Sequence, residues 1–553
     1  MRIGGFRWES GDLPEAHLDG MRAQLGAGGR MLVLDRCDRA PRARVWARGR
    51  ASTDWAVSDA DPDRLPPDAS DGALAGHDGA WALAWTEGDA VCLARDPSGH
   101  RSLFVSAIPG GHVFASAIGP VVAFARPSLD LEQVAAFLSC AYVPGPGTLA
   151  AGVRAVEPGQ RVSLTNGRVA GRRFWLLPPT PTTFPPDDAL RLKLRRTLDD
   201  AVRRWAPAGP IGATLSGGVD SSAVLALAHA QGVGPLRAFS VTFGPEHADE
   251  LEWSARVCAH LGLPRTVVTV RPEDVRDRFD ETVAALSSPN GDPLTVPNTL
   301  LFEAAAAHGR ALLNGEGGDP NFGGPKNAPM LLAELFDVED AAEAARARAT
   351  TWLDAHQRAW EHLPAWMPEG DLAATRLAER VAPWFADASR PGLLDRLMAI
   401  NVAFKGAWHI LPKVDSLGAP FDVAPRSPLF DRRVVELAFQ VPARLKRFGA
   451  IEKHLFKEAI RDVLPAEVVE RPKSGMMVPV EAWFNGPLKG WARERILGGL
   501  APRGFLRRDA LEDLLEGRRG GLRPRRGVKI WLLLTLEAWV RRVLDRGRDG
   551  ART

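Results

Sequence analysis

Cysteine is scarce in this 553-residue chain: Cys37, Cys92, Cys140 and Cys258 lie far apart and never in a CxxC spacing. That argues against a disulfide framework and a thiolate zinc site, and fits reduced thiols in a cytoplasmic location. No apolar run reaches the roughly 18 residues that a membrane span needs, and the opening Met1-Arg2-Ile3-Gly4-Gly5-Phe6 has no apolar signal region, so membrane insertion is not expected. An excess of one charge is missing too. With 70 Lys and Arg against 67 Asp and Glu, the net +3 gives no electrostatic case for nucleic acid, and the basic stretch from Arg518 to Arg526 reads as solvated surface. Tyr142 is the only tyrosine, a compositional bias that carries no function. The GxxxxGK[ST] phosphate loop is absent as well. What is present is an ordinary globular composition, 45% hydrophobic and 25% charged, in a chain long enough for two large domains, each with its own core.

The chemistry concentrates between Pro210 and Ser222. Ile211, Ala213 and Leu215 read as a buried strand, Ser216-Gly217-Gly218 as a turn, and Val219-Asp220-Ser221-Ser222 as the first turn of a helix running through Ala228. Glycines bring backbone N–H groups close to a ligand, and the helix start adds unpaired donors and the positive end of its dipole, so a pyrophosphate fits there. Asp220 does not suit an anion site alone; a carboxylate beside phosphates calls for a bridging Mg²⁺. Two more apolar strands, Leu236–Phe243 and Arg310–Leu313, alternate with helices such as Leu251–Leu261, which predicts a parallel sheet with ligands at the carboxyl ends of its strands. Glu316 and Asp319 follow the second of these, in a glycine-rich segment from Gly315 to Gly324. Residues 1–175 read as short strands with one helix at Leu131–Ser139, a proline cluster from Pro178 to Pro186 marks a linker, and a helix runs from Asp187 to Trp205. Residues 325–400 read as mostly helical, and Trp531, Glu537 and Trp539 belong to a terminal helix that packs.

Ser216–Ser222 resembles the SGGxDS pyrophosphate loop of ATP pyrophosphatases. Gly315–Gly324 is similar to the GEGxDExFGG motif of asparagine synthetases, and Ala94–Phe104 and Val153–Gln160 look like the ARDxxGxxPLYY hairpin and the closing loop of their glutaminase domain. Asp415, Arg426 and Pro428–Asp431 resemble the LxxxDxxSM and EVRxPFLD segments, Glu452–Lys457 the KxxLR helix, and Arg471–Met476 the RxKxGF loop. The resemblance to the asparagine synthetase superfamily spans nearly the whole chain. It implies an α/β protein in which residues 1–178 form a degenerate Ntn-type glutaminase-like β-sandwich, 179–208 a linker and first helix, and 209–553 a parallel-sheet synthetase domain of the ATP pyrophosphatase type. It implies ATP binding by Leu215, Ser216, Gly217, Gly218, Asp220, Ser221, Ser222, Val241, Gly315 and Lys453. Asp220 and Asp319 would share Mg²⁺, Glu316 would be the general base and Lys473 the electrophilic catalyst, with Asp415 and Arg426 on the substrate side.

Departures from the pattern shape the functional expectation. Glutamine-hydrolysing members carry a cysteine after the initiator methionine, where this sequence has Arg2, and the glutamine-holding segments are unrecognisable between Phe6 and Gly79. Pro320 replaces an acid, and Ala424 replaces a glutamate before Arg426. The N-terminal domain therefore reads as a scaffold without glutaminase activity, and the amine as coming from elsewhere. Within the superfamily the combination most resembles lasso peptide macrolactam synthetases, which adenylate an Asp or Glu side chain of a precursor peptide and close it on the N-terminal amine. That implies a precursor or core peptide as substrate, with a leader peptidase and a leader-binding protein as partners. The alternative is an ammonia-dependent asparagine synthetase or another small-molecule amide ligase of the β-lactam synthetase kind. A catalytically silent scaffold is the reading that Ser216, Asp220, Glu316, Asp319 and Lys473 weigh against.

Overall fold

A computed structural model describes residues 3–8, 30–35, 42–46, 55–58, 68–165, 168–247, 249–324, 341–356, 358–472, 475–518 and 525–545. The N-terminal part is a two-sheet sandwich. One sheet has the order β3 (Arg42–Trp46), β2 (Arg30–Asp35), β1 (Ile3–Trp8), β8 (Gly111–Ala115), β7 (Phe104–Ile108), β9 (Arg154–Ala155). The other runs β11 (Arg168–Arg173), β10 (Gln160–Thr165), β6 (Ala90–Arg95), β5 (Ala82–Glu87), β4 (Trp55–Ser58). Alternation places Ile3, Ala82, Ala84, Val91, Leu93, Val105 and Phe114 on the inner faces, where they form a dry layer between the sheets.

The C-terminal part is built on five parallel strands in the order β14 (Arg265–Thr269), β13 (Leu236–Thr242), β12 (Ile211–Thr214), β15 (Ala311–Leu313), β16 (Ala424–Arg426). Strands covered on both faces read as continuous apolar runs, which is why β12, β13 and β15 were legible. The expected helices at 187–205 and 251–261 are present at those bounds. Within the stretch expected to be mostly helical, one helix runs from Ala341 to Ala355. Asp187–Trp205 is more than a tether: Leu190, Leu194, Leu198 and Val202 are buried in the core of the parallel sheet, and the buried Trp205 donates its indole N–H to Asp431 at 3.0 Å.

The two parts do not keep wholly separate cores. The helix Leu131–Cys140 of the first part buries Val134, Phe137 and Leu138 in the same apolar cluster as Trp531, Leu532 and Trp539 of the terminal helix Arg526–Trp539. The terminal helix is buried along its length, and Glu537 inside it is satisfied by Arg495 and Arg541. Among the described residues no helix is long and apolar enough to cross a membrane. Phe279 lies at the centre of this cluster, edge-on to Trp491 and Trp531 at 5.4 and 5.1 Å. Phe279→Ala is expected to cost about 3–5 kcal/mol through lost contacts and the cavity left behind, read as a lowered midpoint in chemical denaturation.

Candidate active site

At the carboxyl end of β12 the chain turns through Ser216-Gly217-Gly218 into a helix that starts at Val219. Gly217 has φ +80°, and a Cβ there would lie 2.5 Å from the Trp253 side chain, so the turn demands glycine twice over. The hydroxyls stiffen the turn: Ser216 Oγ accepts the Gly218 N–H at 3.2 Å, and Ser221 Oγ donates to the Gly218 carbonyl at 3.2 Å. Leu215, Ser216, Gly218, Asp220, Ser221, Val241 and Gly315 all line one cavity of about 320 Å³. Three members of the expected ATP set do not: Gly217, Ser222 and the fully buried Lys453. Gly217 packs on Trp253 and Ser254, and Ser222, one helical step further on, points its side chain into the protein and is wholly buried.

Lys453 is the hub of the site. Its ammonium is fully buried and lies 2.8 and 2.6 Å from the two oxygens of Asp220 and 2.5 Å from Asp319. Burial alone would lower this lysine's pKa; the carboxylates of Asp220 and Asp319 outweigh it and raise the value above the ordinary one. The lysine backbone is left-handed, with φ +56°, a conformation disfavoured for a residue with a Cβ and held here by its surroundings. Gly318 lets Asp220 approach, since a Cβ there would fall 2.1 Å from the carboxylate. The two acids expected to share Mg²⁺ therefore converge on one point, and Lys453, expected at the nucleotide, neutralises them there. Two carboxylates at one point are a donor set that suits Mg²⁺ when phosphate oxygens and water complete the shell. No cluster of three or more His, Cys, Asp or Glu that could hold a metal ion by itself occurs among the described residues.

The other end of the cavity was not foreseen in full. Lys413, almost wholly buried, holds Asp292 at 2.8 Å, and Glu316, Lys405 and His409 line the same wall. Burial raises the Asp292 carboxyl, but Lys413 and then His409 outweigh this and hold it below the usual range. Burial lowers Lys413, but Asp292 and Glu316 raise it overall. His409 is pushed below the usual imidazole value by burial and then by Lys413, with Asp292 opposing, and its ring stacks on Tyr142 at 5.0 Å. The tyrosine read as compositional bias thus packs behind a residue that lines the cavity. Lys405, His409 and Lys413 recur every four residues, a helical-face spacing that a closer reading of the sequence would have caught, and Asp292 follows a turn-forming Asn290-Gly291.

Glu316 is where the motif predicts, its N–H bonded to Asn314 Oδ1 at 3.1 Å. Asp415 and Arg426 are not brought to the cavity. Asp415 is tied to Arg101 of the N-terminal domain, and Arg426 sits on edge strand β16, its carbonyl accepting the Asn314 N–H at 2.9 Å. Lys473 lies outside the described residues; Arg471 just before it is fixed to Glu250 at 2.6 Å over the Trp253 ring, and Gly475 and Met476 after it line the cavity.

Asp292→Asn is expected to remove about 3 kcal/mol at pH 7, since it leaves Lys413 buried without its counter-charge. A carboxyl held low in the folded state contributes stability above its unfolded pKa of about 3.9 and loses it as pH falls through the folded value. The advantage of the wild type over the variant in chemical denaturation should therefore be constant from pH 7 down to about 4 and shrink below that.

Residues 193–541 match the family model described as asparagine synthase, and residues 70–175 match the glutamine amidotransferase domain. The glutamine-hydrolysing asparagine synthetase 1 of Bacillus subtilis is 24% identical over 503 residues, which cover 83% of this chain and 76% of that protein. The carboxyethyl-arginine beta-lactam-synthase of Streptomyces clavuligerus is 26% identical over 407 residues, covering 72% of this chain and 64% of that protein. The acid pair, the hydroxyl-rich loop and the Glu316 strand end fall within the first match, and the chain belongs to the asparagine synthase family of ATP-dependent amide-forming enzymes.

Proposed function

We propose that the protein closes a macrolactam in a precursor peptide, adenylating an Asp or Glu side chain with ATP and joining it to the peptide's N-terminal amine. The observation that carries the chemistry is a single cavity lined both by a pyrophosphate loop with two converging carboxylates and by Lys413, Lys405, His409 and Glu316. A carboxylate is a poor acyl donor until its oxygen can leave with phosphate. The substrate carboxylate attacks the α-phosphorus of ATP, the bond to the β,γ-pyrophosphate breaks, and the N–H groups of the 216–221 loop receive the leaving pyrophosphate. Mg²⁺, held by Asp220 and Asp319, would supply charge neutralisation on the phosphates. Lys413 and Lys405 give the acyl end a cationic lining suited to a carboxylate, and Glu316 accepts a proton as the amine attacks and AMP departs. Lys473 is the cation assigned to the developing phosphate charge.

The origin of the amine supports a substrate that brings its own. The described cysteines, Cys92, Cys140 and Cys258, are all buried, and burial pushes each thiol up, Cys140 to about 12. None offers a thiolate to release ammonia from glutamine. The beta-lactam-synthase relative, by its name, also makes a cyclic amide, which favours ring closure. One observation favours a second reading: about 320 Å³ is small for a nucleotide together with a peptide segment and would suit a compact acyl group, as in a small-molecule amide ligase.

Purified protein with ATP and Mg²⁺ is to be offered a panel of leader-free peptides bearing Asp or Glu, and separately aspartate with ammonia. Peptide-dependent pyrophosphate release and loss of one water from the peptide by mass spectrometry are expected, both falling at least 100-fold in Asp220→Ala. Turnover with aspartate and ammonia alone would overturn the peptide reading in favour of the ligase.

A further inference from the structure

The amidotransferase-like domain touches the synthetase domain through its Ala94–Phe104 hairpin, and the contact is chemically specific. Asp96 organises the hairpin by accepting the N–H groups of Gly99, His100 and Arg101 at 2.7, 2.9 and 3.0 Å. Ser98 Oγ donates to the Phe430 carbonyl at 2.8 Å, Arg101 pairs with Asp415, and the Arg95 guanidinium, 1% exposed, is the innermost group. Arg95 donates to the carbonyls of Arg101, Val156 and Gly99, and its Nη2 also reaches across to the Ala407 carbonyl at 3.0 Å while the guanidinium lies 4.8 Å from the Trp408 ring centre. Burial pushes it down, with Asp96, Asp415 and Glu157 opposing, to about 10, so it stays charged at neutral pH.

Ala407 belongs to Asn401–Ile410, a wide-turn π-helix that continues as an α-helix from Leu411 to Gly418. In that wide ladder the Leu411 N–H bonds to the Gly406 carbonyl. The next bond in register would run from residue 412 to the Ala407 carbonyl, but residue 412 is Pro and has no N–H. The orphaned carbonyl lies two residues before His409, within the segment that carries Lys405 and Lys413 to the cavity. A buried carbonyl without a donor is costly, and a charged donor is the strongest replacement.

We propose that Arg95, on the amidotransferase-like domain, is a positioning residue for the amide-forming centre: it gives the Ala407 carbonyl the hydrogen bond that Pro412 cannot, and so fixes the wide-turn helix that presents Lys405, His409 and Lys413 to the substrate. The domain's arginine hairpin thereby has a role in this chain that needs no glutamine. The functional half of this inference rests on the acyl-adenylate reading above; the structural half does not.

The test compares wild type, Arg95→Met, Pro412→Ala and the double variant as full-length proteins by hydrogen–deuterium exchange. Arg95→Met should speed exchange across Phe404–Leu411 roughly ten-fold, the worth of one charge-assisted bond, and leave the helix Val219–Ala230 unchanged. Adding Pro412→Ala restores a backbone donor at 412, so protection of Phe404–Leu411 should return while the 99–101 hairpin stays loosened. With whichever carboxylate supports pyrophosphate release, Arg95→Met should raise the KM for the carboxylate but not for ATP, and the double variant should reverse it. If Arg95→Met does not accumulate as folded protein, its recovery in the double variant is the supporting result. No recovery in the double variant, or unchanged exchange in Arg95→Met, overturns the proposal. Should wild type release no pyrophosphate with any carboxylate, the functional reading falls, and the exchange result still decides whether Arg95 substitutes for the missing donor.

Discussion

The meeting of Asp220, Asp319 and Lys453 is the interaction on which the rest of the site depends. Two carboxylates gathered at one buried point repel each other and lose their hydration, a cost that only a cation in contact with both offsets. Lys453 supplies that charge from a distant part of the chain, on a residue held in a left-handed conformation. The bridge joins three separate segments: the start of the helix after β12, the glycine-rich end of β15, and the hairpin before His454. Glycine at 318 is required because nothing larger lets the carboxylate in. Mg²⁺ bound with a nucleotide would be held by these same two acids and would supply them with a second positive charge. The protein thus carries the acids in a neutralised form before the substrate arrives.

A second constraint is the way the two domains share an interior. An independent amidotransferase-like sandwich would keep its interior to itself. Instead its helix Leu131–Cys140 is buried with the terminal helix, its Tyr142 stacks on His409, and its Arg101 holds Asp415. A domain whose Tyr142 stacks behind the cavity-lining His409, and whose Arg95 and Arg101 hold the segment that carries it, has a structural role that does not depend on glutamine.

The sequence made the nucleotide end legible because its chemistry is local: Ser216–Ser222 and Gly315–Asp319 are short strings whose glycines, hydroxyls and acids act within a few residues of one another, at the ends of strands with unbroken apolar runs. The acyl end was harder to read because it is assembled from afar. Asp292 and Lys413 are 121 residues apart and their pairing leaves no mark in either neighbourhood. Asp415 and Arg426 matched motifs yet serve the domain contact and the sheet edge, since a motif fixes residue types but not which neighbour the fold delivers. Ser222 shows the same limit at closer range: within a loop of three serines, helical geometry turns the last one inward.

The central claim is that a carboxylate is activated as its adenylate. It is tested most directly by supplying the carboxylate with ¹⁸O in both oxygens and locating the label after turnover. The account predicts one ¹⁸O in the phosphoryl group of AMP and none in pyrophosphate. Label in inorganic phosphate with ADP as the nucleotide product, or AMP formed without label, would contradict it.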